Sequence, residues 1–473
     1  MSSSNEFQRF ASPNEQRTIS REDAGFYHAV IVAAIYDLGD SFDMYTPESF
    51  FEPLRACIKE NPYLSVTVGD MNTDKAFFQK VPTIDLLQHV SILERWSTGN
   101  AMDRIENILE ANLDTPFLRN IPPWRIIVLP LERGCCVAFS FSHMIGDGPT
   151  GSSFHSTFLS ACRNYSSNAE AMTRVIHTPS IPLPNPFDTP QKLPISWSFL
   201  LSPLISLFLP TVVTRLFGLR SSASVTNTGT WNGSKICFHA TATRSKLKMR
   251  EIKATNLQRI LDVSRKHDAK LTGTLLQVIA RALSASIPDT EVTNFVSQTP
   301  INMRAALGVP SEEGGDFVSG CYMVHPRQDP SDTFSEDDWE AARLYTVNLS
   351  RSSSTLQDQA IGLLRYLPSI KNWTLGKIGQ QRDCSFELSN IGAFTNPNDA
   401  SASSTANISQ MIFAQPGHVI SAPLAFSISS VKNGSMFYTV SWRLGALGFA
   451  EDDEDRFVDR ICGDIERTLT LIS

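Results

Sequence analysis

Between residues 193 and 214 the chain carries no charged side chain, and Pro194, Pro203 and Pro210 interrupt the stretch. This segment approaches the length of a membrane span, but a helix interior cannot hold three prolines without breaking. It reads either as an apolar connector packed on the protein or roofing a pocket, or as a peripheral membrane contact. It sits within a Ser-, Thr- and Pro-rich stretch from about 163 to 230, the natural linker in a chain of 473 residues, which is too long for one ordinary core. The organisation expected is a loose N-terminus over 1–24, an N-terminal lobe over 25–190, the apolar linker over 191–230 and a C-terminal lobe over 231–473.

Helix and strand patterns interleave on both sides of that linker. In the first half, β-branched or apolar runs predict strands over 29–36, 63–68, 124–129 and 136–142, with helices over 47–59 and 102–113. In the second half, strands are expected over 235–238 and 294–297, and a hairpin about Lys432-Asn433-Gly434. Apolar residues at spacings of three and four predict an amphipathic helix over Leu271–Ser286, and an acidic start predicts another from Glu451. Residues 400–409 are a Ser/Ala/Asn loop. The fold class expected is α/β (α+β) with two layered lobes.

The net charge of -7 and the absence of any Lys/Arg run exclude a phosphate-tracking surface, so no nucleic-acid partner is expected. Eight cysteines without a CxxC spacing read as reduced core residues of a cytoplasmic protein, and the first residues hold no apolar run of a secretory signal.

The chemistry centres on one imidazole. Along the strand, Val137, Phe139, Phe141 and His143 alternate onto one face. His143 therefore stands at the end of an apolar strand face, where Gly146 and Gly148 let the chain turn. A neutral ring there can take a proton from a hydroxyl, and Asp147 is close enough to hold the loop or the ring. The competing reading is a satisfied core histidine followed by an ordinary turn. No further His or Cys stands at a ligand spacing, so no metal is expected. His155, beside Phe154 on the following helix, reads as a core or surface residue.

Five motifs in a fixed order add to this. They are Asn61-Pro62-Tyr63-Leu64-Ser65 at a helix end, Leu113-Asp114-Thr115-Pro116-Phe117 followed by Pro122-Pro123-Trp124-Arg125, His143 through Gly148 (HxxxDG), Pro300-Ile301-Asn302-Met303-Arg304, and Ser389-Asn390-Ile391-Gly392. From about Arg21 onward the chain resembles the chloramphenicol acetyltransferase/condensation-domain superfamily, which includes the plant BAHD acyltransferases. More narrowly it resembles the fungal alcohol O-acetyltransferase family. The DFGWG stretch of the plant members is absent, which argues against a plant-like member.

The resemblance implies two similar chloramphenicol-acetyltransferase-like lobes with a tunnel between them, entered by acyl-CoA (acetyl-CoA first) from one face and by a small-molecule alcohol from the other. It implies an O-acyltransferase, of secondary metabolism and monomeric, in which His143 deprotonates the acceptor and transfer is direct. Cys135 and Cys136 then serve strand packing. Asp147 would turn from the substrate and pair with Arg304, with Asn302 supporting the same loop and Gly148 completing the catalytic turn. Ser389 and Asn390 are candidate donors to the thioester oxygen. Thr272, Thr274 and, more weakly, Lys270 are candidates for CoA contact. The Ser and Phe residues near 139–159 point to a mostly apolar acceptor site. The alternative is another enzyme on the same scaffold, of condensation type or using His143 for proton chemistry without acyl transfer. A non-catalytic member is a third reading, and the intact His143, Asp147 and Arg304 set argues against it.

Overall fold

In the computed structural model, residues 5–39, 42–96, 99–164, 172–201, 225–239, 244–329, 333–397 and 406–472 are described. Two mixed α/β lobes are each built on one larger sheet. The first sheet runs in the order Asn407–Ala414, Ala29–Asp37, Cys135–Ser142, Trp124–Pro130, Val90–Ile92, antiparallel except for the last pair. The second runs Ser245–Ile252, Met436–Arg443, Leu424–Val431, Phe386–Phe394, Asn294–Asn302, Val318–Pro326, with Phe386–Phe394 parallel to both neighbours.

The strand Cys135–Ser142 is central and covered on both faces, which is why it reads as a near-continuous apolar run. Val137, Phe139 and Phe141 enter the core under the helices Phe51–Glu60 and Gly148–Arg163. Cys136 and Ala138 face Ile105, Leu109 and Leu113 of the helix Ala101–Leu113. Each fully buried phenylalanine contributes about 1.5–3 kcal/mol. The opposite-face core continues into Leu247, Met249 and Phe437 of the second sheet, so apolar packing ties the lobes together. Gly134 makes the turn before this strand: its φ is +70°, and a Cβ there would lie 1.8 Å from the Tyr36 carbonyl oxygen.

One strand crosses between the halves. Asn407–Ala414 follows the SNIG stretch in sequence, yet pairs with Ala29–Asp37 in the first sheet. It stays tied to the second sheet through Ser429 Oγ, which donates to the Met411 carbonyl at 2.8 Å, and Thr439 Oγ1, which donates to Phe413 at 2.9 Å.

The helix Leu271–Ser286 and the C-terminal helix Glu451–Leu471 stand where their periodicities put them. Several expectations need correction. The loose N-terminus over 1–24 instead contains a strand, Glu6–Phe10, and a helix, Pro13–Asp23. The helix is capped by Ser12, with Glu15 closing a capping box. It is buried through paired polar groups: Glu15 takes two hydrogen bonds from Arg9 at 2.7 and 2.8 Å, and Gln16 Nε2 donates to Thr73. A helix held in this way has no apolar stripe for a periodicity search to find. Residues 235–238 form no strand, and Pro62–Ser65 is a 3₁₀ turn ahead of the short strand Val66–Gly69.

Of the apolar segment 193–214, residues 202–214 lie outside the described residues, as do 400–405 of the Ser/Ala/Asn loop. In the described part, Leu193 is fully buried with Ile301 and Met303, while Trp197 is exposed. No described helix is long and apolar enough to cross a membrane. All eight cysteines are free thiols; Cys237 is exposed rather than in a core.

Candidate functional site

The strand Cys135–Ser142 ends at buried Ser142, and the next residues fold back at once. Ile145 N–H donates to the Ser142 carbonyl at 3.1 Å, while Met144 and Ile145 plug into the core. His143 is thereby turned out of the packed face that holds Phe139 and Phe141, and its side chain is 24% exposed on the wall of a cavity of about 560 Å³.

Asp147 begins the next helix. Its Oδ1 accepts from Thr150 N at 3.1 Å and from Thr150 Oγ1 at 3.0 Å, while Thr150 Oγ1 accepts from Asp147 N at 3.3 Å, closing a capping box. Gly148 brings no functional group to the cavity. It is a close-approach residue, since a Cβ would lie 2.3 Å from Cγ2 of Ile391. The helix start therefore presses against the SNIG stretch, an arrangement only glycine permits.

The Asp147 carboxylate faces away from the cavity centre and meets Arg304. Nη1 donates to Oδ2 at 2.7 Å and Nη2 to Oδ1 at 2.9 Å, and both side chains are almost fully buried (2% and 1% exposed). The remaining guanidinium donors reach the carbonyls of Glu313 and Gly315 at 2.9–3.0 Å, and its face lies 4.6 Å from the Phe317 ring centre. Asn302 Oδ1 accepts from Arg304 N at 3.0 Å. Burial by itself would raise the Asp147 pKa, but the Arg304 guanidinium wins and holds it below the usual carboxylate value. Phe317 N–H also donates to Asp147 Oδ2 at 3.1 Å, so the pair binds the His143 loop to the loop that carries Asp316.

Asp316 is the functional neighbour that sequence reasoning missed. Its Oδ2 lies 3.6 Å from His143 Nδ1, and neither atom has another hydrogen-bond partner. Its Oδ1 accepts from Val318 N. Burial raises the Asp316 pKa, opposed by the His143 ring and the Arg17 guanidinium. Neither ring nitrogen of His143 makes a hydrogen bond among the described residues, and Nδ1 is the buried one that faces the carboxylate. The only local signal was Gly314-Gly315-Asp316, an unremarked loop more than 160 positions from the histidine.

Of the other candidates, Asn302, Ser389 and Asn390 line the cavity. Asn390 is engaged within the protein: Nδ2 donates to Thr272 Oγ1 at 3.2 Å, and Oδ1 accepts from Gly392 N at 2.9 Å, fixing a turn in which Gly392 has φ +87°. Thr272 thus reaches the cavity wall only through Asn390. Thr274 does not come to the site, because it is fully buried with its hydroxyl between Ser264 Oγ and the Lys270 carbonyl. Neither threonine caps its helix, and Lys270 is exposed. His155 is a core residue, bonded to Tyr36 Oη and the Val32 carbonyl.

The phenylalanines near 139–159, the expected source of an apolar acceptor site, do not line the cavity. Phe139, Phe154 and Phe158 stack on one another inside the first core. The cavity wall is mixed, with apolar surface from Ile361, Leu363, Leu364, Leu367, Trp373 and Phe413 beside a polar set. It includes Arg17 and Arg21 from the N-terminal helix, and a chain in which Tyr27 Oη donates to Gln415, Gln415 donates to Glu387, and Glu387 lies 3.3 Å from His418.

Behind the histidine, Ser142 Oγ donates to Glu22. Burial pushes the Glu22 carboxyl up to about 8, against the pull of that hydrogen bond. An unfolded glutamate ionises near 4.5, so the native state resists ionisation and stability falls as pH rises from there to about 8. Glu22→Gln is expected to be more stable than the parent by roughly 1–2 kcal/mol at pH 8.5, with the difference vanishing at pH 4. Urea unfolding at both pH values checks this, and a gain independent of pH would contradict it.

The family model for alcohol acetyltransferase matches residues 57–458. A probable alcohol acetyltransferase, FCK4, of Fusarium pseudograminearum is 21% identical over 427 residues, covering 87% of this chain and 83% of its own length. A second, crmB of Aspergillus fumigatus, is 20% identical over 94% of this chain and 96% of its own. Among solved structures, the TRI3 trichothecene 15-O-acetyltransferase of Fusarium sporotrichioides superposes with a TM-score of 0.68, covering 97% of this chain and 94% of that one at 13% identity. The condensation domain of the monacolin K polyketide synthase MokA superposes with a TM-score of 0.58, covering 99% and 98% at 10% identity. Both structural likenesses establish the two-lobed fold.

Proposed function

The chain belongs to the alcohol acetyltransferase family and is an acyltransferase, and we propose on that premise that it moves an acyl group, acetyl first, from acyl-CoA to the hydroxyl of a small-molecule alcohol with His143 as general base. The observation that carries this reading is the placement of His143. Its ring stands on the cavity wall with no hydrogen bond to the described residues and Nδ1 turned to Asp316, on a loop fastened by a buried ion pair.

The step balances without an acyl-enzyme. Nε2 takes the hydroxyl proton as the alcohol oxygen attacks the thioester carbonyl. The tetrahedral intermediate then collapses, breaking the C–S bond, and the imidazolium returns the proton to the departing thiolate. Ser389 lines the cavity and its hydroxyl makes no hydrogen bond among the described residues, whereas Asn390 is held by Thr272 and Gly392. Ser389 is therefore the candidate donor to the oxyanion. Asp316 is a positioning residue: opposite Nδ1 it favours the tautomer with a proton there and steadies the cation that forms.

Incubation with acetyl-CoA and a panel of alcohols, with free thiol followed over time, tests the proposal; no alcohol-dependent release from any acyl-CoA would sink it. Asp316→Asn presents an amide N–H to Nδ1 and so favours the wrong tautomer. It is expected to lower kcat about 10²-fold with KM and melting temperature nearly unchanged, and to be worse than Asp316→Ala. Equal losses in the two variants would reduce Asp316 to a packing role.

A further inference from the structure

The helix Pro13–Asp23 sends two guanidiniums into the cavity that holds His143. Arg17 and Arg21 are four residues apart, so they share one helix face. Neither makes a side-chain hydrogen bond among the described residues, and the Nε atom of each is buried without a partner. The one ion pair is loose, with Arg17 Nη2 at 3.9 Å from Asp316 Oδ2.

The carboxylates nearby are occupied elsewhere. Asp147 is taken by Arg304, and Glu387 by His418 and Gln415. Asp383 and Glu387 act on Arg21 through their fields, and Asp383 accepts from Tyr322 Oη at 3.4 Å. Arg382, also on the wall, is different: its Nε and Nη1 donate to four backbone carbonyls at 2.8–3.1 Å. Burial and the neighbouring Arg17 lower the Arg21 pKa to about 10, so it remains charged near neutrality. A guanidinium does not escape desolvation by losing its proton, and two adjacent ones without acceptors cost free energy until an anion arrives.

We propose that Arg17 and Arg21 form an anion subsite of the acceptor cavity, so that the alcohol acylated here carries a carboxylate gripped by the two guanidiniums while its hydroxyl faces His143. This rests on the acyl-transfer reading above. Position assigns the anion to the acceptor rather than to CoA. Arg17 approaches the same Asp316 oxygen that faces His143 Nδ1 at 3.6 Å, which places its guanidinium beside the reacting centre. The phosphates of CoA are held far from their thioester by the length of the pantetheine arm. The planar fork of arginine matches a carboxylate in two-point geometry, and a pair of such residues selects for it over a neutral ester.

The test uses matched acceptors, each a hydroxy acid beside its methyl ester: 3-hydroxybutyrate, mandelate and 12-hydroxystearate, with acetyl-CoA as donor. In at least one pair the acid is expected to be favoured about 10- to 100-fold in kcat/KM. Arg21→Gln should erase most of that preference, and Arg21→Lys should keep part of it, with circular dichroism melts confirming that both variants fold. Calorimetric binding of the same acids and esters to His143→Ala separates this proposal from the catalytic one. Arg21-dependent binding of an acid without turnover in the parent would leave the subsite standing and remove the acyl-transfer reading. Transfer that treats acids and esters alike would do the reverse. An Arg21→Gln effect confined to the KM of acetyl-CoA would put the anion on the donor and overturn the assignment, as would failure of every acid to show Arg21-dependent binding.

Discussion

His143→Ala is expected to release CoA from acetyl-CoA in the presence of an accepted alcohol at least about 10³-fold more slowly than the parent, a loss at the scale of a removed general base. The fold should scarcely notice. His143 donates and accepts no hydrogen bond among the described residues, and its ring lies on a cavity wall rather than in the Phe139 and Phe141 packing. Stability should therefore stay within about 1 kcal/mol of the parent. The control is Cys135→Ala. Cys135 and its neighbour Cys136 are buried in the central strand, and burial pushes the Cys136 thiol up to about 12 and that of Cys135 higher still. Neither is a thiolate near neutral pH, so Cys135→Ala should lose some stability and keep its turnover. A His143→Ala enzyme that turns over normally, or a Cys135→Ala enzyme that is folded and dead, would end the direct-transfer mechanism.

Arg304→Ala is expected to cost about 3–5 kcal/mol in unfolding free energy, the range for stripping one partner from a buried pair. The magnitude follows from what is left behind. Asp147 would remain a buried carboxylate with two N–H donors and no countercharge, while the carbonyls of Glu313 and Gly315 would lose their guanidinium donors. Activity should fall with stability, because the pair fastens both the loop carrying His143 and the loop carrying Asp316. Asp147→Asn has one carbonyl oxygen, which can keep the cap to Thr150. It then turns an amide NH2 toward the Phe317 N–H and the guanidinium, so it should destabilise on a scale similar to Arg304→Ala. Denaturant unfolding of the two single variants and the double variant measures the coupling, and additive losses would mean the two side chains act separately. A loss below about 1 kcal/mol for Arg304→Ala would remove the pair from any supporting role.

The local chemistry was legible where one element carried the signal. Strand alternation from Val137 to Phe141 with glycines at 146 and 148 put His143 at a strand end beside a tight turn. Spacings of three and four marked Leu271–Ser286 to its ends. Thr274 failed for a related reason: a helix start exposes some first-turn residues and buries others, and only its packing against Ser264 decides which. The polar helix Pro13–Asp23 leaves no periodic mark because its buried face is built from Glu15, Gln16 and Asn14, whose side chains meet Arg9, Thr73 and the Asp316 carbonyl, contacts that periodicity does not register.

Sequence by itself determined the alternation of helices and strands, the run that delivers the imidazole, and the residue types of the buried pair, because these depend on neighbours within a few positions. Tertiary structure alone decided that Asn407–Ala414 joins the first sheet, that Asp316 stands opposite His143, and that Arg17 and Arg21 face the same cavity. The physical reason is range. Backbone periodicity acts over one or two turns, whereas hydrogen bonding and charge act between whatever surfaces folding brings within a few ångströms, however far apart along the chain.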